Sequence, residues 1–493
     1  MGPLFDEGVR QFGGQCLRTW YFVKPLLDDG HVVRLVTVPI FNPDDPTMRH
    51  AAIVRRSYQG YEYQAFTNTD FGFIHETLLQ IARSFLPDAL MGVNIVPAWI
   101  AARLPLCVPL WADLNGYLMA EKQGQAARTG DDKPLVDAWR KESLVARRAD
   151  KFSAVSRPQL RALLGELASI GRLNQYTFHY HFAHHIPEAY LPAFAADAPS
   201  PAASPGSAEP AQRREPPPSR RPLLRGPVVP PNAFVLLWSG GYNYWTDPEF
   251  LFNFLEAVLA ADDRIHFVST GGGIEGYNCA TYEEFVRRVE GSSRRARYHL
   301  LGWVPAEDLP AIYRESDLGL SIDEMNYETL FGARNRLNNL MAAGVPVITT
   351  CGSEISLMIR EARCGIVCPP GDLSALVEGV LRMACRPDER WRLAERAKAF
   401  TLEEFSSEKL TAPARAWARA PHLAPDNAEK LRRQPGLSSF LDVAVNYLEE
   451  TARVAQDYDV VALKKDYEDL LAIRAKSWYR TLKGIKDILL SHR

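Results

Sequence analysis

The chain has 493 residues, of which 46% are hydrophobic and 24% are charged, and its net charge is −2. This composition is typical of a folded soluble protein, and the length predicts two large domains with additional segments. The nearly neutral charge gives no indication of nucleic acid as a partner.

The first 194 residues alternate β-rich runs with helical stretches, which predicts a parallel sheet with crossover helices. The predicted strands have the sequences VVRLVTVPI, YEYQAF, LMGVNIV, LCVPLWADL and KFSAVS. The amino terminus lacks a basic start followed by an apolar core, and no run approaches the ~18 apolar residues of a membrane span. We therefore expect a cytoplasmic protein.

A segment rich in proline, alanine, serine and arginine follows, at residues 195–231. It has too little apolar content to offset the entropy of ordering, so it predicts a disordered linker between two domains.

Residues 232–426 show the clearest strand pattern of the chain. The predicted strands have the sequences AFVLLWSG, RIHFVSTGG, RYHLLGW, LGLSID, VPVITT and GIVCPP, with helices such as PEFLFNFLEAVLAA between them. The sequence thus predicts an α/β protein with two Rossmann-like, doubly wound domains.

Residues 427–493 have apolar residues at helical spacing and no strand signal, which predicts a helical carboxyl-terminal extension. Its last twenty residues are basic, with aromatic and aliphatic residues interspersed. Two interpretations stay open: a helix that contacts the cytoplasmic face of a membrane, and a helix that packs back on the protein, which is favoured.

The seven cysteines are scattered and odd in number, which predicts reduced thiols in a reducing compartment. Cys364 and Cys368 have no second Cys or His pair nearby, so small buried residues are favoured over a metal site. The histidine cluster at 179, 181, 184 and 185 is likewise interpreted as packing.

Glycines follow three predicted strands of the second domain, where ligands of open parallel sheets bind. They allow close approach of the backbone to a phosphate. This pattern is neither a P-loop nor the dinucleotide-binding fingerprint. The candidate donor-binding residues here are Gly240, Gly241, Gly272, Gly302 and Val304.

A polar constellation lies between the strand LGLSID and the next strand. Glu328 is a candidate for binding ribose or sugar hydroxyls, and Arg334 and Arg336 are candidates for clamping a pyrophosphate. Arginine beside a leaving diphosphate would stabilise the charge that develops there. The alternative interpretation is a solvated helix face with ion pairs.

In order, the strings WSGG, FVSTGGG, LLGWVPAEDLPAIYRESDLGLSID, MAAGVPVITT and CGIVCPPGD resemble the donor domain of GT-B glycosyltransferases, specifically the retaining family 4. The resemblance covers roughly residues 232–405. More faintly, FGGQCLRTWYFVKPLLDDGHVVRLVTVP resembles the glycine loop, helix and strand of the acceptor domain. The resemblance as a whole implies a hexosyltransferase with a nucleotide-diphosphate sugar as donor and a saccharide or lipid-linked acceptor.

The resemblance further implies Gly13 and Gly14 near the donor phosphates, and Asp113 and Asn115 on the acceptor side. It implies transfer with retention, no metal ion or other cofactor, and a role in cell-envelope polysaccharide synthesis. Asp113 is equally interpretable as a helix cap.

Two departures from the family pattern leave other functions open. The second of two family glutamates is replaced by Asn339, and a basic residue after the first donor-domain strand is replaced by Tyr242 and its neighbours. A non-catalytic nucleotide-sugar-binding protein of a polysaccharide assembly system is the main alternative, and a nucleotide-sugar epimerase is a third.

A doubly wound domain normally begins with a strand before its glycine loop, yet only twelve residues without an apolar run precede Gly13. Either that strand is irregular or the start of the sequence is too late. The second explanation is preferred, and it predicts a gap in the middle of the amino-terminal sheet.

Overall fold

The computed structural model describes residues 1–2, 4–5, 13–39, 53–67, 70–195 and 222–432. The strands of the first half are β1 (Val36–Thr37), β2 (Ile53–Tyr58), β3 (Tyr61–Phe66), β4 (Leu90–Val93), β5 (Leu110–Leu114), β6 (Lys151–Ala154) and β7 (Ala183–His185). Its helices are α1 (Gly14–Asp28), α2 (Phe71–Phe85), α3 (Ile95–Arg103), α4 (Leu118–Thr129), α5 (Lys133–Arg148), α6 (Arg157–Ser169) and α7 (Pro192–Ala195).

The strands of the second half are β8 (Phe234–Ser239), β9 (Ile265–Thr270), β10 (Tyr298–Gly302), β11 (Leu318–Ser321), β12 (Val347–Thr350) and β13 (Ile366–Cys368). Its helices are α8 (Pro248–Ala261), α9 (Ala280–Glu290), α10 (Leu309–Arg314), α11 (Tyr327–Phe331), α12 (Asn335–Ala342), α13 (Glu354–Ala362), α14 (Leu373–Cys385), α15 (Pro387–Glu404), α16 (Ser407–Leu410), α17 (Ala412–Arg419) and α18 (Pro425–Arg432).

The carboxyl-terminal domain is built on one parallel sheet with the strand order β10-β9-β8-β11-β12-β13. All six residues of β8 are buried, as expected for a strand that is covered by helices on both faces. The order reverses between β8 and β11, which is the switch point where doubly wound sheets bind ligands. This confirms the predicted Rossmann-like second domain.

The amino-terminal sheet is divided into two parts. Strands β4-β5-β6-β7 form one parallel sheet, and β1-β3-β2 form another in which β2 and β3 are an antiparallel hairpin. Among the described residues no strand pair joins the two sheets, and Gly2 makes a parallel bridge with Pro39. The described strands of the amino-terminal half thus form two separate sheets, and residues 6–12, on which the expected gap depends, lie outside the described residues.

The last described helices pack on the amino-terminal domain. Trp417 of α17 lies against Trp111 of β5, with ring centroids 5.6 Å apart. Asp426 of α18 forms an ion pair with Arg172 in which both side chains are fully buried. The second domain is therefore shorter than the predicted 232–426, because residues 406–432 complete the first domain.

The linker is also shorter than predicted. Leu223, Leu224 and Arg225 each donate a backbone hydrogen bond of 2.8 Å to the carboxylate of Glu315, and Leu224 is fully buried. The prediction of disorder is therefore wrong for residues 222–231, because one carboxylate satisfies three consecutive N–H groups.

Most of the predicted linker and most of the predicted carboxyl-terminal extension cannot be compared with the structure. Residues 196–221 of the linker and 433–493 of the carboxyl-terminal extension lie outside the described residues. In the part of the chain that is described, no helix has the length and apolar character needed to span a bilayer.

We expect Asp426→Asn to lower the free energy of unfolding by about 3 kcal/mol, since the substitution leaves the buried Arg172 guanidinium without its counter-charge. Urea denaturation would measure the change. The matched control is Asp263→Asn, which removes a carboxylate that is 99% exposed and 3.5 Å from Arg297. An exposed pair contributes little, so a loss as large in the control would contradict this interpretation.

Candidate functional site

A cleft of about 440 Å³ lies between the two domains. The loops at the carboxyl ends of the strands in both sheets open towards it, as expected for doubly wound domains. Nine of the predicted site residues line it: Gly13, Gly14, Asn115, Gly240, Gly241, Val304, Glu328, Arg334 and Arg336. Gly272, Gly302 and Asp113 do not.

Two of the glycines that line the cleft are at positions where a side chain would clash or would strain the backbone. A Cβ atom on Gly14 would lie 1.7 Å from Nδ2 of Asn335, so the start of α1 approaches the start of α12 across the cleft. Gly240 has a φ of 93°, in the left-handed region that glycine adopts without strain. These positions bring the backbone close to any ligand between the domains.

Asp113 was predicted to be an acceptor-side catalytic residue, and the structure contradicts this. Its carboxylate is fully buried and accepts two hydrogen bonds of 2.7 Å from Arg18 and one of 2.6 Å from Ser153. The sequence did not reveal Arg18 as its partner, because the two residues are 95 positions apart. Asp113 therefore holds Arg18 in place and does not face the cleft.

Arg334 is enclosed by two carboxylates. Its Nε lies 2.7 Å from Asp323 Oδ2, and its Nη2 lies 2.8 Å from Glu328 Oε2. Burial raises the pKa of Glu328, although the neighbouring Arg334 opposes this shift. The three side chains satisfy one another, so they hold the loop before α12 and leave little of Arg334 for a ligand.

Arg336, unlike Arg334, is not paired with a carboxylate among the described residues. Its Nη2 donates to the carbonyl of Gly241 at 3.2 Å, and its guanidinium carbon lies 4.2 Å from the ring centroid of Trp238. Its Nη1 is buried without a hydrogen-bond partner. Burial lowers the pKa of Arg336, yet a guanidinium keeps its charge in proteins. The cleft thus contains a cation with an open donor, which suits an anionic ligand.

Two carboxyl groups in the cleft, the buried Glu188 and the half-buried Glu121, were not predicted from the sequence. Burial raises the pKa of Glu188 to about 7, and it raises the pKa of Glu121 to about 7 with a further contribution from Glu328. Glu188 follows β7, whose sequence AHH has no strand pattern, so the sequence did not indicate a loop at the end of a strand there. Glu121 lies in the first turn of α4, just beyond the predicted residue Asn115.

The histidine cluster packs in the amino-terminal domain. His184 stacks on Trp111 with ring centroids 5.4 Å apart, and burial lowers its pKa to about 4. Its neighbour His185 lies 2.8 Å from a carboxylate oxygen of Glu354 in the other domain. Within the described ranges, no three or more His, Cys, Asp or Glu side chains are grouped to hold a metal ion.

Sequence comparison identifies one domain of the chain. Residues 233–385 match the family described as Glycosyl transferases group 1. No curated protein matches the chain.

Solved structures share the whole two-domain architecture. Sucrose-phosphate synthase from Thermosynechococcus elongatus is 14% identical, with a TM-score of 0.55 over 83% of this chain and 93% of that one. Anabaena HepE in complex with UDP-glucose is 14% identical, with a TM-score of 0.53 over 87% and 98%. A trehalose-phosphate synthase from Burkholderia xenovorans, in complex with glucose-6-phosphate, is 10% identical, with a TM-score of 0.56 over 83% and 97%.

At these identities the solved structures establish only the fold. The family match indicates the class of activity for residues 233–385, the domain that contains Arg336. Residues 233–385 thus match a glycosyltransferase family, and the chain as a whole has the GT-B fold of the solved structures.

Proposed function

We propose that this protein transfers a sugar from a nucleotide-diphosphate sugar to a saccharide or lipid-linked acceptor, with retention of configuration, in the synthesis of a cell-envelope polysaccharide. The observation that carries the proposal is Arg336, whose open Nη1 donor lies in the cleft at the beginning of α12. A buried guanidinium without a counter-charge is costly unless a ligand supplies the anion.

The diphosphate would lie against Arg336 and the loop after β8. Gly240 and Gly241 let the backbone approach it, and the amino terminus of α12 favours negative charge. In the family that the chain resembles, a basic residue follows the first strand of the donor domain. Here Arg336 reaches the same loop from α12, through its hydrogen bond to the carbonyl of Gly241.

The reaction would break the bond between the anomeric carbon and the diphosphate oxygen and form a bond from that carbon to an acceptor oxygen. The departing diphosphate would take the proton of the acceptor hydroxyl, so no nucleophile from the protein is required. Arg336 would stabilise the charge that develops on the diphosphate. The proposal needs no metal ion for this step, because the guanidinium supplies positive charge.

Retention and the role in polysaccharide synthesis are supported by the resemblance to family 4. The UDP-glucose complex of Anabaena HepE supports a uridine nucleotide as the first donor to try. Contact of the carboxyl-terminal extension with a membrane stays a prediction, since residues 433–493 lie outside the described part of the chain.

The first test is a thermal-shift screen of the full chain against UDP, GDP, ADP and CDP. A nucleotide present at a hundred times its Kd stabilises by about 2.7 kcal/mol, which raises the Tm by several degrees. We expect one of the four to produce such a shift, and orthophosphate at the same concentration to produce none. If no nucleotide shifts the Tm, the donor site is assigned wrongly.

A non-catalytic nucleotide-sugar-binding protein is the second candidate, and Asn339 favours it. Asn339 stands where the resemblance places a glutamate, and its Oδ1 accepts the backbone N–H of Leu191 at 2.9 Å. Release of nucleoside diphosphate from a bound nucleotide-sugar, followed over hours, separates the two candidates. Release only with an acceptor would further exclude an epimerase.

A further inference from the structure

Glu188 is a buried carboxyl group whose oxygen atoms are not used by the fold. The residue is 3% exposed and lines the cleft, and neither side-chain oxygen makes a hydrogen bond of good geometry among the described residues. Arg18 and Asn115 lie close enough to oppose the effect of burial on its pKa. The nearest cation is Arg18, whose Nη1 lies 3.7 Å from Oε1, which is beyond hydrogen-bond distance. A buried carboxyl group with only such long contacts destabilises a protein, so a ligand that donates hydrogen bonds to it would be favourable.

Arg18 does not depend on Glu188 for charge balance. It forms two 2.7 Å hydrogen bonds with Asp113, and it also donates to the carbonyls of Ile186 and Pro187 at 2.8 and 3.2 Å. Removal of the Glu188 charge would therefore leave Arg18 paired.

Asn94 is a second polar side chain with an open acceptor in the same cleft. It is 4% exposed, its Oδ1 has no partner, and its Nδ2 donates to the carbonyl of Gln15 at 3.3 Å, which sets the orientation of the amide. Its φ of 77° is strained for an asparagine. Strain of this kind is typical of residues that are held in place for binding.

The open side-chain atoms of Glu188 and Asn94 are thus acceptors, and acceptors need donors. Sugar hydroxyls supply donors, whereas a phosphate at neutral pH supplies mainly negative charge. The lysines that line this wall already have partners: Lys122 donates to Gln125 at 2.9 Å, and Lys141 pairs with Asp137. Within the described residues, the open cation of the cleft is Arg336, which belongs to the other domain.

We propose that Glu188 and Asn94 bind hydroxyl groups of the acceptor, and that the acceptor is an uncharged sugar at this subsite and not a sugar phosphate. The inference rests on the proposed function. It distinguishes this chain from the trehalose-phosphate synthase of similar fold, whose structure holds glucose-6-phosphate.

The test compares the full-length protein with Glu188→Gln, after saturation with the nucleotide diphosphate that the thermal-shift screen selects. Methyl α-D-glucopyranoside, methyl β-D-galactopyranoside, methyl α-D-mannopyranoside and glucose 6-phosphate are titrated by calorimetry. The amide replaces one of two acceptor oxygens with a donor, so we expect at least tenfold weaker binding of the preferred glycoside. Asp150→Asn is the matched control, because Asp150 is fully buried in the same domain and does not line the cleft.

The Tm of Glu188→Gln distinguishes a binding role from a structural role. If Glu188 stabilised the fold, the substitution would lower the Tm. Burial raises the pKa of Glu188 to about 7, above the ordinary value of 4.5, so the folded state binds its proton more tightly than the unfolded state. The wild type therefore loses stability as the pH rises from about 4.5 to 7, and the amide does not. We expect the Tm of Glu188→Gln to equal or exceed that of the wild type at pH 8, with Arg18 and Asp113 still paired.

The outcomes separate this inference from the proposed function. Failure of every nucleotide to bind the wild type overturns both. If a nucleotide binds, the inference alone is overturned by any of four results: no methyl glycoside binds, glucose 6-phosphate binds as tightly as the best glycoside, Glu188→Gln binds the preferred glycoside as tightly as the wild type, or Glu188→Gln lowers the Tm as Asp150→Asn does. Weaker glycoside binding with an unchanged or higher Tm supports it.

Discussion

Replacing Arg334 with alanine should lower the free energy of unfolding by about 3–5 kcal/mol, the largest loss of stability that we expect from one substitution near the cleft. The substitution leaves the carboxylates of Asp323 and Glu328, which are 8% and 6% exposed, without a counter-charge. Urea denaturation at pH 8 would measure the loss.

Protonation of Glu328 should relieve part of this loss. Burial already raises the pKa of Glu328 with Arg334 in place, so without Arg334 the group would take up a proton at still higher pH. We expect the penalty at pH 5 to be smaller than at pH 8, and the triple substitution Asp323→Asn, Glu328→Gln, Arg334→Met to recover much of the stability. A penalty that is independent of pH would contradict the ion-pair interpretation.

Replacing Arg336 with methionine should abolish measurable transfer, with a fall in kcat/KM of about 10³ and no loss of stability. The guanidinium has no carboxylate partner in the described part of the chain, so the fold loses only the hydrogen bond to the carbonyl of Gly241 and the contact with the ring of Trp238, where methionine can pack instead. Nucleotide binding by calorimetry and transfer by nucleoside-diphosphate release would measure the effect.

Arg264→Met is the matched control for this prediction. Arg264 pairs with Asp262 at the surface, with 59% of its side chain exposed, and it does not line the cleft. We expect its nucleotide affinity and transfer rate to match those of the wild type. Normal nucleotide binding by Arg336→Met would show that the diphosphate lies elsewhere.

The order of strands and helices could be predicted wherever burial is reflected in local sequence. The run PEFLFNFLEAVLAA has the same bounds as α8, because Asp247 caps the helix, Pro248 begins it and the apolar residues that follow repeat at helical spacing. Strand β2 has the sequence IVRRSY, with four exposed residues in a row, and β7 is only AHH. Neither has the apolar pattern on which strand prediction depends.

The site could be predicted only as a set of candidates. Both Arg334 and Arg336 were predicted from the sequence to bind the diphosphate. Because they are only two residues apart, nothing in the sequence indicated that they have different roles. The division comes from tertiary structure: Asp323 and Glu328 enclose one guanidinium, while the other extends over Trp238. Glu188 could not be identified as a candidate from the sequence, since the burial and the long contacts of its carboxylate are properties of the folded chain.

The return of residues 406–432 to the first domain means that the two domains are not two consecutive lengths of chain. A protein expressed as residues 1–195 would lack the cover over Trp111 and the counter-charge of Arg172, so it would not be a self-sufficient unit. Conversely, a chain divided between residues 195 and 222 would produce two fragments that each contain part of the first domain. Such fragments should associate on co-expression, and this chain is therefore suited to fragment complementation but not to separation into halves.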